Sequence, residues 1–165
     1  MLKKIFKKIS TRFWTSIALR KVTAHGKVYV NRKSTFTTNT YIGDNCHFNG
    51  MRITGAGKVK IGDNFHSGGG CLMITSNHNY NTGTRIPYDN TLVNKDIIIE
   101  DNVWIGENVT ILGGVIIGEG AIIQAGSVVV TNIPACAVAG GHPARKFSER
   151  NREHYFELKE KELFF

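Results

Sequence analysis

The sequence is poor in several things. It has three cysteines, Cys46, Cys71 and Cys136, an odd number with no C-x-x-C spacing. That excludes a disulfide framework and leaves free thiols, as in a cytoplasmic protein. No apolar run approaches the ~20 residues that span a bilayer. The opening MLKKIFKKISTRFW is interrupted by lysines before an apolar segment can form, and no small-residue cleavage site follows, so it does not read as a signal peptide. Acidic residues are scarce, 13 against 21 Lys and Arg, which leaves a net charge of +8. Such an excess suits an acidic partner: a phosphate-bearing cosubstrate, an anionic lipid surface or nucleic acid. No recognised nucleic-acid module accompanies it, and the basic residues gather mainly in the two tails, so nucleic acid is not expected. At 165 residues the chain has the length of one domain.

What is present is a period of six. From residue 99 the chain reads IEDNVW, IGENVT, ILGGVI, IGEGAI, IQAGSV, VVTNIP. Ile99, Ile105, Ile111, Ile117, Ile123 and Val129 take the first position, and small or branched residues take the fifth. Upstream, Val30, Phe36, Ile42 and Phe48 keep the phase. After a one-residue slip within RITGAG, Gly55, Ile61, Ser67 and Met73 resume it. A 3.6-residue helix cannot satisfy this period, and hairpins would alternate with period two. A short strand followed by a corner does satisfy it, and three such units close a triangular coil. Residues 30–78 and 99–134 supply about five coils of an all-β solenoid with parallel sheets. First and fifth positions point inward, which makes Cys46 and Cys71 small buried hydrophobes. The SGGG at 67–70 has no following Lys-Ser/Thr, so it reads as a corner and not a phosphate cradle.

One stretch breaks the rhythm, TSNHNYNTGTRIPYDNTLVNKD at 75–96, just where His78 stands. The phrases IGDN at 42–45 and 61–64, NVWIGENVTILGGVIIGEGAIIQAGSVV from 102, and IPACAVAGGHPARK at 133–146 resemble the hexapeptide-repeat acyltransferases, in the branch of maltose, galactoside and polysaccharide O-acetyltransferases. The resemblance implies a left-handed parallel β-helix over residues 23–147 with an excursion loop at 79–98. It further implies acetyl-CoA as cosubstrate and a homotrimer with active sites between subunits. Matched to the family's motifs, His78 is the catalytic histidine and Asn49 the asparagine that positions the acceptor. The CoA positions correspond to Trp104, Gly106, Gly114, Ala125, Gly126, Arg145 and Lys146. Val130 and Thr131 occupy the places where the family often carries Thr-Lys before Asp-Ile-Pro, so Arg145, Lys146 or a residue of a neighbouring chain would have to replace the lysine's contact to a CoA phosphate.

The chemistry needs few groups. A thioester is already activated, so a histidine that deprotonates the acceptor and backbone N–H groups that receive the oxyanion suffice. Transfer is then direct, without an acyl-enzyme. Tyr80, Arg85, Tyr88 and Asp89 in the loop are candidates for holding a sugar. Zinc is not expected: His47, His66 and His78 are 19 and 12 residues apart, unlike the close pairs of the zinc β-helix carbonic anhydrases, and no metal is assigned. His47 and His66 read as surface histidines. Asp63 belongs to a corner, where Asp is ordinary turn chemistry.

The reading is therefore an acetyl-CoA-dependent O-acetyltransferase acting on a sugar hydroxyl, in surface polysaccharide or glycan biosynthesis. An N-acetyltransferase of an amino sugar is the alternative within the class, and a non-catalytic repeat scaffold the alternative outside it. Residues 1–22 form a basic amphipathic helix, with Leu2, Ile5, Phe6, Ile9, Phe13 and Ile17 on one stripe and Lys3, Lys4, Lys7, Lys8 and Arg12 mostly away from it. Its apolar stripe is expected to cap the open end of the solenoid, with peripheral contact of residues 1–21 at the inner face of a membrane as the second reading. Residues 148–165 are expected to form a C-terminal helix.

Overall fold

Each hexad places one large aliphatic inward and turns the chain at a polar or glycine corner, and stacking those corners builds the molecule. The computed structural model describes residues 2–165. Its strands form three faces. The first face carries Thr23–Ala24, Thr40–Ile42, Val59–Ile61, Ile97–Ile99 and Ile116–Ile117. The second carries Val28–Val30, Cys46–Phe48, His66–Ser67, Trp104–Ile105, Ile122–Ile123 and Ala137–Gly141, closed by antiparallel Ala144–Glu149. The third carries Met51–Thr54, Cys71–Ile74, Thr110–Leu112 and Val128–Val129. Within the solenoid every pairing except that closing strand is parallel, in register from rung to rung.

The second face has six parallel rungs, one more than the hexad phrases outline. The extra length lies at the ends, where Thr23–Val30 and Ala137–Gly141 continue the stack without the Ile-Gly phrase. The core is the aliphatic ladder: Ile42, Ile61, Ile99, Ile105, Ile111, Ile117, Ile123 and Val129 are all at most 2% exposed. Cys46 and Cys71 sit in it as free thiols, and burial pushes the Cys46 thiol up to about 12. The slip in RITGAG resolves differently from the expected register. Ile53 points inward and is buried, while Gly55 turns the corner at φ +95°, where a Cβ would meet Ser76 and Thr75.

Helix α1 (Leu2–Ala18) lies across the first rung, as a cap should, but with another face than the Ile/Phe stripe. Thr11, Trp14, Thr15, Ala18 and Leu19 are half-buried at helical spacing, and Trp14, Ala18 and Leu19 pack against the core. The end rung presents unpaired backbone groups, and hydroxyls meet that need where aliphatics cannot. Thr15 Oγ1 accepts from Val30 N at 2.9 Å, and Thr11 Oγ1 donates to Asn31 Oδ1 at 2.9 Å. The side chains of Leu2, Lys3 and Lys4, part of the expected stripe and basic set, lie outside the described residues. At the other end, helix α2 (Arg152–Glu160) is capped by Asn151 and follows the closing strand, so the C-terminal segment is strand and then helix.

Candidate active site

The three edges of the prism have different chemistry. Between the first and second faces, Asn45, Asn64 and Asn102 adopt φ of 53°, 54° and 60°. Their side chains form a ladder: Asn45 Nδ2 donates to Asn64 Oδ1 at 2.9 Å and Asn64 Nδ2 to Asn102 Oδ1 at 3.0 Å. Asp63 Oδ1 accepts from Asp44 N at 2.7 Å, and Asp101 Oδ1 accepts from Asp63 N at 2.8 Å. Asp63 is thus a rung of this ladder.

The edge between the second and third faces carries Asn49, Gly106, Ala125 and Gly126. Asn49 is fixed at both ends of its amide, accepting from Asn31 Nδ2 at 3.0 Å and donating to Ser67 O at 2.7 Å. With the Thr11–Asn31 bond this makes a continuous line from α1 to Asn49. Gly106 packs against the next rung, where a Cβ would fall 2.6 Å from Ala125 N. Gly126, at φ +72°, has open space where its Cβ would be, while its N donates to Glu107 O at 2.7 Å and its O meets the His142 ring.

The edge between the third and first faces carries His78, Gly114 and Thr131. The coil ends at Thr75, 1% exposed, whose Oγ1 donates to Thr54 O at 2.8 Å and accepts from Gly57 N at 3.1 Å. Ser76–His78 then pairs antiparallel with Leu92–Asn94, so the excursion leaves as a two-stranded ribbon and His78 stands on the ribbon, opposite Leu92, past the last coil position. The exposed His78 ring stacks on Tyr88 at 3.8 Å and 13°. With Tyr80, Val93 and Lys95 it lines a cavity of about 260 Å³.

The loop is held by Asp89. Its Oδ2 accepts from Thr84 N at 2.8 Å and its Oδ1 from Thr91 N at 2.8 Å and Thr91 Oγ1 at 2.6 Å. These bonds, led by that from the Thr91 hydroxyl, bring the carboxyl down to about 2. Asp89 spends its oxygens inside the loop, while Tyr80 and Arg85 are exposed.

The expected residues therefore fall into two groups, one on each border of the third face. Within one protomer the structure does not bring Asn49 to His78: one stands at the entry corner of that face, the other beyond its exit. Arg145 Nη1 lies 3.5 Å from Thr131 Oγ1, which joins two of the expected CoA positions, while Lys146 is paired with Glu149 at 2.7 Å. Trp104 stands apart from both borders. It is 53% exposed on the second face and lines a cavity of about 480 Å³ beneath α2, with His66 and Tyr155. His47 and His66 are not ordinary surface residues. Register stacks their rings at 4.4 Å, with Tyr29 beyond at 4.5 Å, and burial lowers the pKa of both.

Two residues were missed. Lys95 runs past Gly114, its Cδ 3.3 Å from where a Cβ would be, and also lines the His78 cavity. Its position directly before the hexads resume at Asp96 was the available signal. Asn31, which orients Asn49, gave no signal, because that contact joins rungs 18 residues apart.

Comparison with known proteins agrees with this architecture. The bacterial transferase hexapeptide (six repeats) family model matches residues 96–131, so the repeat is that of the hexapeptide transferases. A galactoside acetyltransferase solved in complex with coenzyme A is 29% identical, with a TM-score of 0.72 over 85% of this chain and 72% of its own. A maltose O-acetyltransferase from Clostridium difficile 630 is 26% identical, with a TM-score of 0.69 over 87% and 84%. A hexapeptide-repeat acetyltransferase from Vibrio cholerae is 25% identical, with a TM-score of 0.64 over 88% and 91%. An N-acyltransferase from Bacillus cereus, at 18% identity and a TM-score of 0.67, shares the fold over 98% and 95%. No curated protein matches by sequence. The resemblance drawn from the motifs stands: the fold is a hexapeptide-repeat β-solenoid, consistent with a left-handed coil, and its similarity to these acetyltransferases supports an acyltransferase.

Proposed function

We propose that the protein transfers an acetyl group from acetyl-CoA to a sugar hydroxyl, at a site completed only between neighbouring subunits of a homotrimer. The observation that carries this reading is the division of the expected site over the two borders of one face. A closed ring of identical subunits has heterologous contacts, so one border of each copy meets the other border of the next. Turned toward the ring axis, the third face would bring the His78 border of one subunit against the Asn49 border of another. Three such sites form from three copies. The galactoside acetyltransferase and maltose O-acetyltransferase among the similar structures support the sugar as acceptor. A role in surface polysaccharide or glycan assembly in the cytoplasm is the setting this chemistry suits.

The residues fit a CoA thioester. Gly106, Ala125 and Gly126 would leave room for the pantetheine arm, Gly114 and Lys95 would border the reacting end, and Arg145 with Thr131 would meet a phosphate. The thioester supplies the activated acyl carbon. His78 Nε2 or Nδ1 takes the proton of the acceptor hydroxyl as its oxygen attacks that carbon. As the tetrahedral adduct collapses and the C–S bond breaks, the imidazolium returns the proton to the departing sulfur. Asn49, held by Asn31 and Ser67, orients the acceptor, and Tyr88 fixes the plane of the His78 ring.

Thiol release from acetyl-CoA is measured with a panel of sugars, amino sugars, nucleotide sugars and polysaccharide. A hydroxyl acceptor is expected to give turnover where its amino analogue does not. The shared site is tested by coexpressing His78→Ala and Asn49→Ala chains. Random trimers restore about a quarter of the sites if the two residues come from different subunits. Activity no greater than that of the separate variants would place both residues in one protomer and end the shared-site reading.

A further inference from the structure

The charge of this protein is concentrated at one end. Residues 1–43 contain ten of the 21 Lys and Arg and none of the 13 Asp and Glu, the first being Asp44. The remaining 11 basic and 13 acidic residues carry −2, so the whole positive excess belongs to α1 and the first coil.

The same end carries an uncovered apolar face. Because α1 caps the solenoid with its threonine-bearing side, Ile5, Phe6, Ile9 and Phe13 are left 51%, 66%, 59% and 56% exposed, and Ile17 36%. These positions recur at i, i+4 and i+8, on the side of the helix opposite Thr11, Thr15 and Ala18. Lys8 and Arg12 border the stripe on one side, while Lys7 stands on the capping side of the helix with Thr11 and Ala18; all three are exposed. Capping thus does not consume the apolar stripe.

We infer that this pole docks on an anionic lipid bilayer, with the α1 stripe seated at the headgroup boundary and the flanking basic side chains on lipid phosphates. Both features are needed to choose the occupant. Bare apolar stripes could pair with one another in a second copy, but that would bring two strongly positive poles together with no acidic residue to relieve them. A polyanion without an apolar phase would leave the Ile and Phe side chains in water. An anionic bilayer satisfies both, with the apolar face inserted and the cations snorkelling. Among the described residues no helix is long and apolar enough to cross a membrane, so the contact is an in-plane one.

The test is co-sedimentation of the full chain with vesicles of phosphatidylcholine alone and of phosphatidylcholine with phosphatidylglycerol. It needs neither acetyl-CoA nor acceptor, so it succeeds or fails independently of the catalytic reading. Wild type is expected in the pellet with the anionic vesicles and in the supernatant with the neutral ones. Lys7/Lys8/Arg12→Gln is expected to lower partitioning on the order of tenfold or more, and added salt to do the same. Ile9/Phe13→Ser alters only exposed side chains, so its thermal unfolding is expected to match wild type while vesicle binding falls on the order of tenfold. Wild-type chain that ignores anionic vesicles, or glutamine and serine variants that bind as wild type does, overturns the inference. A serine variant whose oligomeric state changes without lipid would assign the stripe to a second copy and overturn it as well.

Discussion

The edge between the first and second faces and the edge between the third and first are made from the same hexad, yet they use polar residues in opposite ways. Along the former, each Asn and Asp is matched by its counterpart one rung away: Asn45 to Asn64 to Asn102, Asp44 to Asp63 to Asp101. At Asn45, Asn64 and Asn102 the left-handed corner is occupied by a residue that tolerates it, and the first two amides each bond to the next. Along the latter the stack is interrupted. The ribbon bearing His78 leaves the coil, and the ring stacks on Tyr88 at the mouth of a cavity. A repeat that spends its polar groups on itself is a scaffold. Where the repeat is interrupted, polar groups remain for a substrate.

The largest expected contrast comes from one substitution on each edge. On the open edge, His78→Ala should lower kcat/KM by about 10²–10⁴, the usual worth of a positioned general base. Thermal unfolding should hardly move, since the side chain is exposed. Steady-state thiol release and calorimetry read the two. Unchanged turnover would remove His78 from the chemistry; a large loss of stability would make it a scaffold residue like those of the ladder. On the ladder edge, Asn64→Ala should do the reverse. It loses bonds to Asn45 and Asn102 and places a Cβ-bearing residue without a local hydrogen bond at φ +54°. About 2–3 kcal/mol is expected, split between corner strain and lost bonds. Asn64→Gly keeps the corner and loses only the bonds, so it should recover the strain. If both unfold alike, conformation is not what the asparagine supplies.

The same contrast explains what could be read in advance. Inward ladders were legible because a buried aliphatic every six residues leaves no other fold open, and Ile99 through Val129 obey it without exception. His78 was legible as the residue at the break. What escaped was whatever depends on contacts between rungs or on the ends. The Ile/Phe stripe of α1 was expected to cap the coil because apolar spacing marks a buried face. The end rung instead required hydroxyls for Val30 N and Asn31, and only the first coil's geometry reveals that. Asp89 looked like a sugar ligand because a loop carboxylate is usually free, but Thr84 and Thr91, five and two residues away, take both its oxygens. Lys95 lacked a motif altogether, and its closeness to Gly114 arises from how the ribbon rejoins the coil.

A smaller effect concerns how α2 is fastened to the ladder edge. Glu119 Oε1 accepts from Lys159 Nζ at 2.5 Å and Tyr155 OH at 2.8 Å, with Asn102 Nδ2 at 3.5 Å. Burial would raise the Glu119 pKa, but these hydrogen bonds outweigh it and the net direction is down. A depressed folded pKa means that the carboxylate stabilises the fold above the ordinary glutamate range. That contribution is lost as pH falls through the folded value. Glu119→Gln should therefore cost about 1 kcal/mol at pH 7, discounted for partial exposure, and less at pH 3. Thermal unfolding of both chains at the two pH values checks it. A gap that widens in acid would mean the carboxylate is not what holds α2.

The smallest effect comes from a polar group that neither edge uses. Ser67 is 2% exposed, and among the described residues its Oγ is buried without a hydrogen-bond partner. An unpaired buried hydroxyl costs stability that alanine would return, against a slight loss of packing from a missing atom. Ser67→Ala should thus leave the unfolding temperature unchanged or raise it by a few degrees, corresponding to about 0–1 kcal/mol. The substitution also separates backbone from side chain beside the site. Asn49 is held by the Ser67 carbonyl, not its hydroxyl, so acetyl transfer should proceed at the wild-type rate. Lower activity at unchanged stability would show the hydroxyl acting on Asn49. The boundary between scaffold and site would then lie one residue deeper in the coil than the two edges suggest.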